Sequence, residues 1–336
     1  MTIPERLPLA VVFLTWFRHR RTTEIASHLG IPLLELTTSR RGISRYAELT
    51  ARTAGTLFRI RPRVVIVQSP SLVLSIVALA LRPFLRYRLL VDAHNEAVEP
   101  YLNTSRLVRG LTDWVLRKAD NIIVTNDPLA RKVRERNGKP LVLFDRIPAT
   151  PSLAARSRAE NFHAVVISTF AGDEPIAVIL EAAREIGATV TFSMTGNSAK
   201  MPQQLRKLVP PNVTLTGFLD EPDYWSLLAT CDVVIDLTTM EDCLVCGAYE
   251  ALSVGTPLIL SSNQASLQLF HDAALFTDNT AASLVAAIRQ SMQERGALKA
   301  QSISARARID RLWDTCAAQV MATMRGLANP SNPADR

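Results

Sequence analysis

Twelve short runs of Val, Ile and Leu, separated by stretches of helical character, constrain the fold of this 336-residue chain more than any other feature. The runs are continuous rather than alternating, as in Val64–Gln68 (VVIVQ) and Val233–Asp236 (VVID). Strands covered on both faces have this character, because a parallel sheet carries helices on each side. In the first half, strands are expected at Leu9–Leu14, Leu33–Leu36, Val64–Gln68, Leu89–Asp92, Ile122–Thr125 and Leu141–Phe144. Helices fit between them at about 22–29, 43–59, 71–82, 104–118 and 127–136. Strand–helix alternation at this spacing predicts a doubly wound α/β unit.

The segment Pro148–Asn161 (PATPSLAARSRAEN), rich in Pro, Ser, Ala and charge, reads as an interdomain linker. The alternation then restarts, with strands expected at Ala164–Ser168, Thr189–Ser193, Val213–Thr216, Val233–Asp236, Leu258–Leu260 and Ala273–Phe276. Helices fit 174–186, 202–208, 221–230, 245–254, 265–270, 280–293 and a long segment from about 296 to 326. The expected architecture is α/β: two Rossmann-like doubly wound domains facing each other across a cleft. The boundaries are an N-terminal domain at 1–148, a linker at 149–161, a second domain at 162–295, a C-terminal helical segment at 296–328 and a disordered tail at 329–336.

Composition bounds what such a chain does. With 48% hydrophobic and 21% charged residues, the balance is that of a globular protein. The apolar run Leu72–Leu81 is shorter than the roughly 20 residues of a membrane-spanning helix. The N-terminus places Glu5 and Arg6 before the first strand, without a secretory pattern. A cytoplasmic protein is expected.

The net charge of +7 is unevenly divided. Residues 1–150 hold 24 Lys and Arg against 12 Asp and Glu (+12), and the remainder holds 14 against 19 (−5). A basic first half points to an anionic partner such as a membrane surface, a phosphate-bearing lipid or nucleic acid. Few aromatic residues and no visible recognition module argue against nucleic acid. Of the cysteines Cys231, Cys243, Cys246 and Cys316, all are expected reduced. Cys243 and Cys246 form a C-x-x-C, but no second Cys or His pair completes a zinc site. They read as small residues at a tight helix start, and neither a metal nor a cofactor is expected.

The stretch from Cys231 to Pro257, CDVVIDLTTMEDCLVCGAYEALSVGTP, runs from a buried strand through a polar loop into a helix and a Gly-Thr-Pro turn. Asp242 and Glu250 bracket the helix start with seven residues between them, and Asp232, Asp236 and Glu241 add acid nearby. Acids before a helix are ordinary caps. A strand-to-helix junction of this kind is also where open α/β sheets bind ligands.

This stretch, together with VTLTGFLDEPDYWSLLATCD (213–232), resembles the C-terminal domain of GT-B glycosyltransferases, especially glycosyltransferase family 4. That family carries a Glu, seven residues, a second Glu, an Ala-rich helix and a Gly-x-Pro turn; the matching positions are Asp242, Glu250 and Gly255-Thr256-Pro257. The likeness spans about 161–290, and over the first half it rests on strand order and VDAHN (91–95). The resemblance implies a nucleotide-sugar donor, UDP- or GDP-linked, with Glu250 on the ribose and Asp242 on the sugar hydroxyls beside Glu241. The helix-opening amides at Val245, Cys246 and Gly247 face the diphosphate, since a helix N-terminus attracts anions. Phe218 and Leu219, after Gly217, reach the nucleobase, although Phe218 reads equally as core packing. Gly196 lies in another loop of the same edge, and Lys200 either neutralises phosphate or is simply solvated.

The chain departs from the family pattern in three places: the first acid of the pair is Asp242, shorter than Glu by one methylene, the loop at 15–24 lacks the Gly-rich sequence many members carry there, and another loop lacks its basic residues. The loop after the second domain's first strand reads STFAGDEP (168–175), with two acids where members carry Arg and Lys. Phosphate charge is therefore expected to be met by Lys200, by the helix dipole or by arginines of the first domain.

In the first domain, the resemblance places His94 near the reacting sugar, as a neutral imidazole that hydrogen-bonds a sugar hydroxyl. The loop TWFRHRRTTE (15–24) mixes Trp16 and Phe17 with Arg18 to Arg21. It is expected to hold the acceptor, a glycan or a polyprenyl-diphosphate-linked lipid, through Arg18 and His19 together with Asn95. The helix at 104–118 reads either as a membrane-surface helix or, more simply, as an amphipathic cover for the sheet. The resemblance implies retention of anomeric configuration without a metal, and peripheral contact with the inner membrane face through the basic domain. A nucleotide-sugar epimerase and a non-catalytic nucleotide-binding protein of the same fold are the competing readings.

Overall fold

The computed structural model describes residues 10–69, 71–98, 105–150 and 161–329. The expected tail from 330 onward and most of the expected linker, 151–160, lie outside the described residues. The chain divides into two compact units, residues 1–146 with 313–336 and residues 147–312.

The first unit alternates β1 (Val11–Thr15), α1 (Arg20–His28), β2 (Leu33–Glu35), α2 (Gly42–Ile60), β3 (Val64–Ser69), α3 (Leu72–Leu85) and β4 (Arg88–Ala93). It continues with the short α4 (Asn95–Val98), α5 (Arg106–Lys118), β5 (Asn121–Val124), α6 (Asp127–Glu135) and β6 (Pro140–Val142). The strands form one sheet in the order β2-β1-β3-β4-β5-β6, and every pairing is parallel. All six residues of β3 are buried, as its continuous apolar run requires. Val65, Val67, Leu89 and Val91 enter a core closed by Leu49, Leu57, Leu74 and Leu116 from the helices. The chain reverses direction across the sheet between β1 and β3, so the loops leaving the carboxyl ends of β1 and β3 border the switch point, with the β4 loop next to them.

The second unit contains β7 (Phe162–Val166), α7 (Ile176–Ile186), β8 (Val190–Thr195), α8 (Gln203–Arg206), β9 (Val213–Gly217), α9 (Glu221–Thr230) and β10 (Val233–Asp236). It ends with α10 (Cys246–Val254), β11 (Leu258–Ser261), α11 (Gln264–Phe270), β12 (Ala274–Thr277), α12 (Ala281–Gln293) and α13 (Arg295–Ala328). Its parallel sheet runs β12-β11-β10-β7-β8-β9, with the switch point between β7 and β10. The expected helix at 202–208 shortens to the single turn of α8, since the remaining residues lead through Val209-Pro210-Pro211 toward β9.

The segment expected as a separate C-terminal piece is a single 34-residue helix, α13, and it is divided between the units after Leu312. Beyond that point Trp313, Val320 and Met324 are buried. The Trp313 indole donates to the Phe144 carbonyl at 3.1 Å, and the Arg146 guanidinium lies 5.4 Å from its ring centre. Among the described residues, no helix is long and apolar enough to cross a membrane.

Candidate active site

In the second unit, the site is built at the carboxyl end of β10. The strand delivers Asp236, buried, to the start of α10, where its Oδ2 accepts the Gly247 amide hydrogen at 2.9 Å. The N-cap of α10, Val245, has no side-chain cap, so Asp236 supplies from the neighbouring strand what Ser or Asp ordinarily supplies locally. A Cβ on Gly247 would lie 2.4 Å from that carboxylate oxygen and 2.3 Å from Ile167 Cδ1, so only glycine admits the contact. Gly255, left-handed at φ 71°, closes the helix: Thr256 N–H donates to Ala251 O at 3.0 Å. Burial raises the Asp236 pKa well above the usual carboxylate range; the Gly247 amide opposes that, while the charges of Glu250, Glu174 and Asp173 add to it.

One turn along α10, Glu250 Oε2 accepts from the Tyr224 hydroxyl at 2.5 Å. Tyr224 sits on α9, whose start is fixed by Asp220 accepting the Asp223 amide hydrogen at 3.0 Å and which buries Trp225, Leu227 and Leu228. The loop between β10 and α10 is pinned by Asn263, whose side-chain amide donates to the carbonyls of Met240 at 3.2 Å and Cys243 at 3.1 Å. Those carbonyls flank Glu241 and Asp242, the first exposed and the second half-buried.

The loop after β7 folds around its own acid. Glu174 accepts from the Ser168 hydroxyl at 2.6 Å, the Thr169 amide at 2.8 Å and the Phe170 amide at 2.9 Å. Asp173 Oδ2 accepts from the Thr238 hydroxyl at 2.7 Å, joining this loop to the one after β10. At the end of β8, Gly196 has φ 99°, and a Cβ there would meet the Ser168 carbonyl oxygen at 2.1 Å.

In the first unit, Asp92 at the end of β4 is fully buried and bound by Arg21 of α1, with Nη2–Oδ1 at 3.0 Å. Arg21 also reaches Asp145 Oδ1 at 2.5 Å and donates to Leu143 O at 2.7 Å. Burial alone would lower the Arg21 pKa, but the two carboxylates outweigh it and the guanidinium stays charged. His94 follows β4 with Nε2 3.9 Å from Asp92 Oδ2, and the His19 ring packs edge-on against it at 4.9 Å. Burial pulls the His94 pKa down; Asp92 opposes this, and Arg21 and His19 reinforce it. The imidazole is therefore neutral near pH 7, able to donate from one nitrogen and accept at the other.

The comparisons with known proteins decide the family. Residues 6–144 match "Glycosyl transferase 4-like domain" and residues 162–294 match "Glycosyl transferases group 1". The chain is a family 4-like GT-B glycosyltransferase. Among solved structures, Anabaena HepE in complex with UDP and glucose aligns over 94% of this chain and 99% of its own, at TM-score 0.75 and 14% identity. Sucrose-phosphate synthase from Thermosynechococcus elongatus covers 94% and 88%, at 0.69 and 17%. A putative UDP-N-acetylglucosamine 2-epimerase from Listeria monocytogenes covers 94% and 96%, at 0.61 and 13%. No curated protein matches the sequence.

Within the glycosyltransferase, Asp242, Glu241, Val245, Cys246, Gly247 and Glu250 lie on the β10–α10 loop and helix. Gly196 and Lys200 follow β8, and Phe218 and Leu219 follow β9, each at the carboxyl edge of the same sheet. Phe218 is 87% exposed, which removes its core-packing reading. Lys200 is also exposed. Gly247 requires a correction: its amide hydrogen goes to Asp236, not outward to phosphate. In the first unit, Arg18 and His19 are exposed, Asn95 is half-buried, and His19 and His94 come together. Trp16 and Arg21 do not belong to a surface loop as expected. Trp16 is buried with its indole donating to Thr53 at 2.9 Å, and Arg21 is consumed by its two carboxylates. The helix α5 buries Thr112, Val115 and Leu116 against the sheet, the simpler of its two readings. Sequence reasoning missed Tyr224, Asn263, Glu174 and the Arg21–Asp92 pair, whose partners lie 20 to 71 residues away except for Glu174. Asp236 was visible only as an acid ending a strand.

Proposed function

We propose that this glycosyltransferase moves a sugar from a UDP- or GDP-linked donor to a glycan or polyprenyl-diphosphate-linked acceptor at the cytoplasmic membrane face, in polysaccharide or cell-envelope glycan synthesis. The observation that carries the reading is the second unit's junction, where Glu250 is held by a tyrosine hydroxyl one turn beyond a glycine fastened to the strand end. Glu250 accepts from the ribose hydroxyls, Asp242 from the donor sugar, and exposed Phe218 stacks on the base. The diphosphate lies at the start of α10, toward the amides of Val245 and Cys246, with Lys200 as the nearby base. HepE, whose crystal structures contain UDP-glucose and UDP with glucose, supports a nucleotide-sugar donor through a shared fold.

Transfer proceeds with retention and without a metal, by front-face attack of the acceptor hydroxyl as the diphosphate departs. Catalysis then consists of positioning and of stabilising the leaving group. Neutral His94 donates a hydrogen bond to a donor-sugar hydroxyl, while Arg18, His19 and Asn95 hold the acceptor. Membrane contact is supported at the start of α2, where Ile43 is 88% exposed between Arg41 and Arg45.

Incubation with UDP- and GDP-sugars and a lipid-linked glycan, followed by product analysis, tests the proposal. The expected products are free nucleoside diphosphate and an elongated glycan. Isomerised sugar without transfer would instead favour the epimerase reading, which the Listeria fold likeness keeps in play, and no nucleotide binding would overturn both.

A further inference from the structure

We propose that Tyr224 is a positioning residue for the donor: its hydroxyl holds the Glu250 carboxylate in the rotation that meets the ribose hydroxyls, and so sets a preference for ribonucleotides over deoxyribonucleotides. The inference rests on the assignment of Glu250 to the ribose and adds a residue on a different helix that the assignment does not include.

Three observations carry it. The hydrogen bond is short, 2.5 Å from Tyr224 Oη to Glu250 Oε2, as expected for a hydroxyl donating to an ionised acceptor. The donor is fixed from behind. Trp225 and Leu228 are buried, Thr256 Oγ1 donates to Leu228 O at 2.7 Å, and the Tyr224 ring packs at 6.0 Å against Trp225, itself joined to Glu221. The hydroxyl also keeps its proton: burial, then the Glu250 charge and hydrogen bond, and then Asp236 and Cys246, all push its ionisation up. Tyr224 therefore stays a neutral donor near pH 7.

A carboxylate has about four lone-pair directions, so the bond to Tyr224 is compatible with bonds to a ribose diol while it restrains rotation about the terminal bond. Loss of that bond loosens the Glu250 carboxylate, which weakens the contact to the ribose and to nothing else in the nucleotide.

The test is a calorimetric comparison of UDP and GDP with their 2′-deoxy and 3′-deoxy analogues on the full chain, in wild type, Tyr224→Phe and Glu250→Gln. Wild type is expected to prefer the ribonucleotide. Tyr224→Phe is expected to weaken ribonucleotide binding about tenfold, with much less effect on the deoxy analogue that lacks the contacted hydroxyl. A tyrosine that merely packs would move both ligands by the same factor, and that result overturns the proposal. So does an unchanged ribonucleotide Kd in Tyr224→Phe while Glu250→Gln weakens it, an outcome that leaves the ribose assignment of Glu250 standing. If Glu250→Gln changes nothing, or if wild type ignores the ribose hydroxyls, the assignment itself falls and the role of Tyr224 with it. The wild-type arm tests the ribose assignment alone; should Tyr224→Phe fold poorly, Tyr224→Leu, read by the same ratio of ribonucleotide to deoxy affinity, tests the role of Tyr224.

Discussion

At the residue scale, the site depends on acids placed where acids are costly. Asp236 is buried beside three other carboxylates, and its anionic form is disfavoured by desolvation and by like charge. The sign of the consequence follows from linkage. Between the unfolded carboxyl pKa near 3.9 and the raised folded value, the folded chain holds a proton that the unfolded chain has lost. Stability therefore falls as pH rises through that window, by at most about 1.4 kcal/mol per unit for one group. Asp236→Asn retains a carbonyl for the Gly247 amide and removes the titration. Its melting temperature is expected to change less between pH 5 and pH 8 than that of wild type, and parallel pH slopes in calorimetry would refute the account. None of this was readable locally. VVID looks like a strand with a polar last residue, and only the packing of α10 against β10 places that residue under a helix start.

At the element scale, the loops after β7 and β8 of the second unit are shaped by contacts to backbone groups. Glu174 gathers the Thr169 and Phe170 amides where family members carry basic side chains, and the turn is completed by Gly196 pressed against Ser168. Gly196→Ala combines a left-handed φ with a backbone clash that no rotamer relieves. Urea denaturation should register a loss of roughly 1–3 kcal/mol. The control Gly172→Ala, in the facing loop after β7 with φ in the ordinary range and nothing within 4 Å of a new Cβ, should be close to neutral. The start of α2 yields a different prediction. Its first turn presents Ile43 beside Arg41 and Arg45, with no acid in that turn, a combination suited to an anionic lipid surface. Ile43→Asp is expected to reduce sedimentation with phosphatidylglycerol vesicles several-fold and to leave UDP or GDP affinity unchanged. Equal sedimentation of both proteins would remove the membrane reading from this helix.

At the scale of the whole molecule, α13 belongs to both units by sequence and by packing. Its last turns bury Val320 and Met324 in the first unit, each worth about 1.5–3 kcal/mol by area, in addition to the Trp313 indole. A chain ending at Leu312 should therefore lose stability in the first unit. Limited proteolysis is expected to cut within residues 10–146 long before it cuts within 161–300, and equal resistance of the two would show that the helix end contributes little.

Two parallel sheets, twelve strands near their expected positions and the family were all legible in the sequence. Burial on both faces imposes continuous Val/Ile/Leu runs, and the helix-opening acids and Gly-Thr-Pro turn are local chemistry. Glu250, Asp242 and His94, the residues proposed here for the donor, are singled out on the motif alone. The tertiary structure decided what holds them: Tyr224 for Glu250, Asn263 for the Asp242 loop, Arg21 behind Asp92 for the His94 neighbourhood, and Asp236 for the start of α10. Those partners lie on other strands and helices, and hydrogen bonds between elements leave no periodicity in the chain. Exposure was decided there too. Trp16 and Phe218 are both aromatic residues just past strand ends, and only the packing of the finished sheet buries the first and presents the second to solvent.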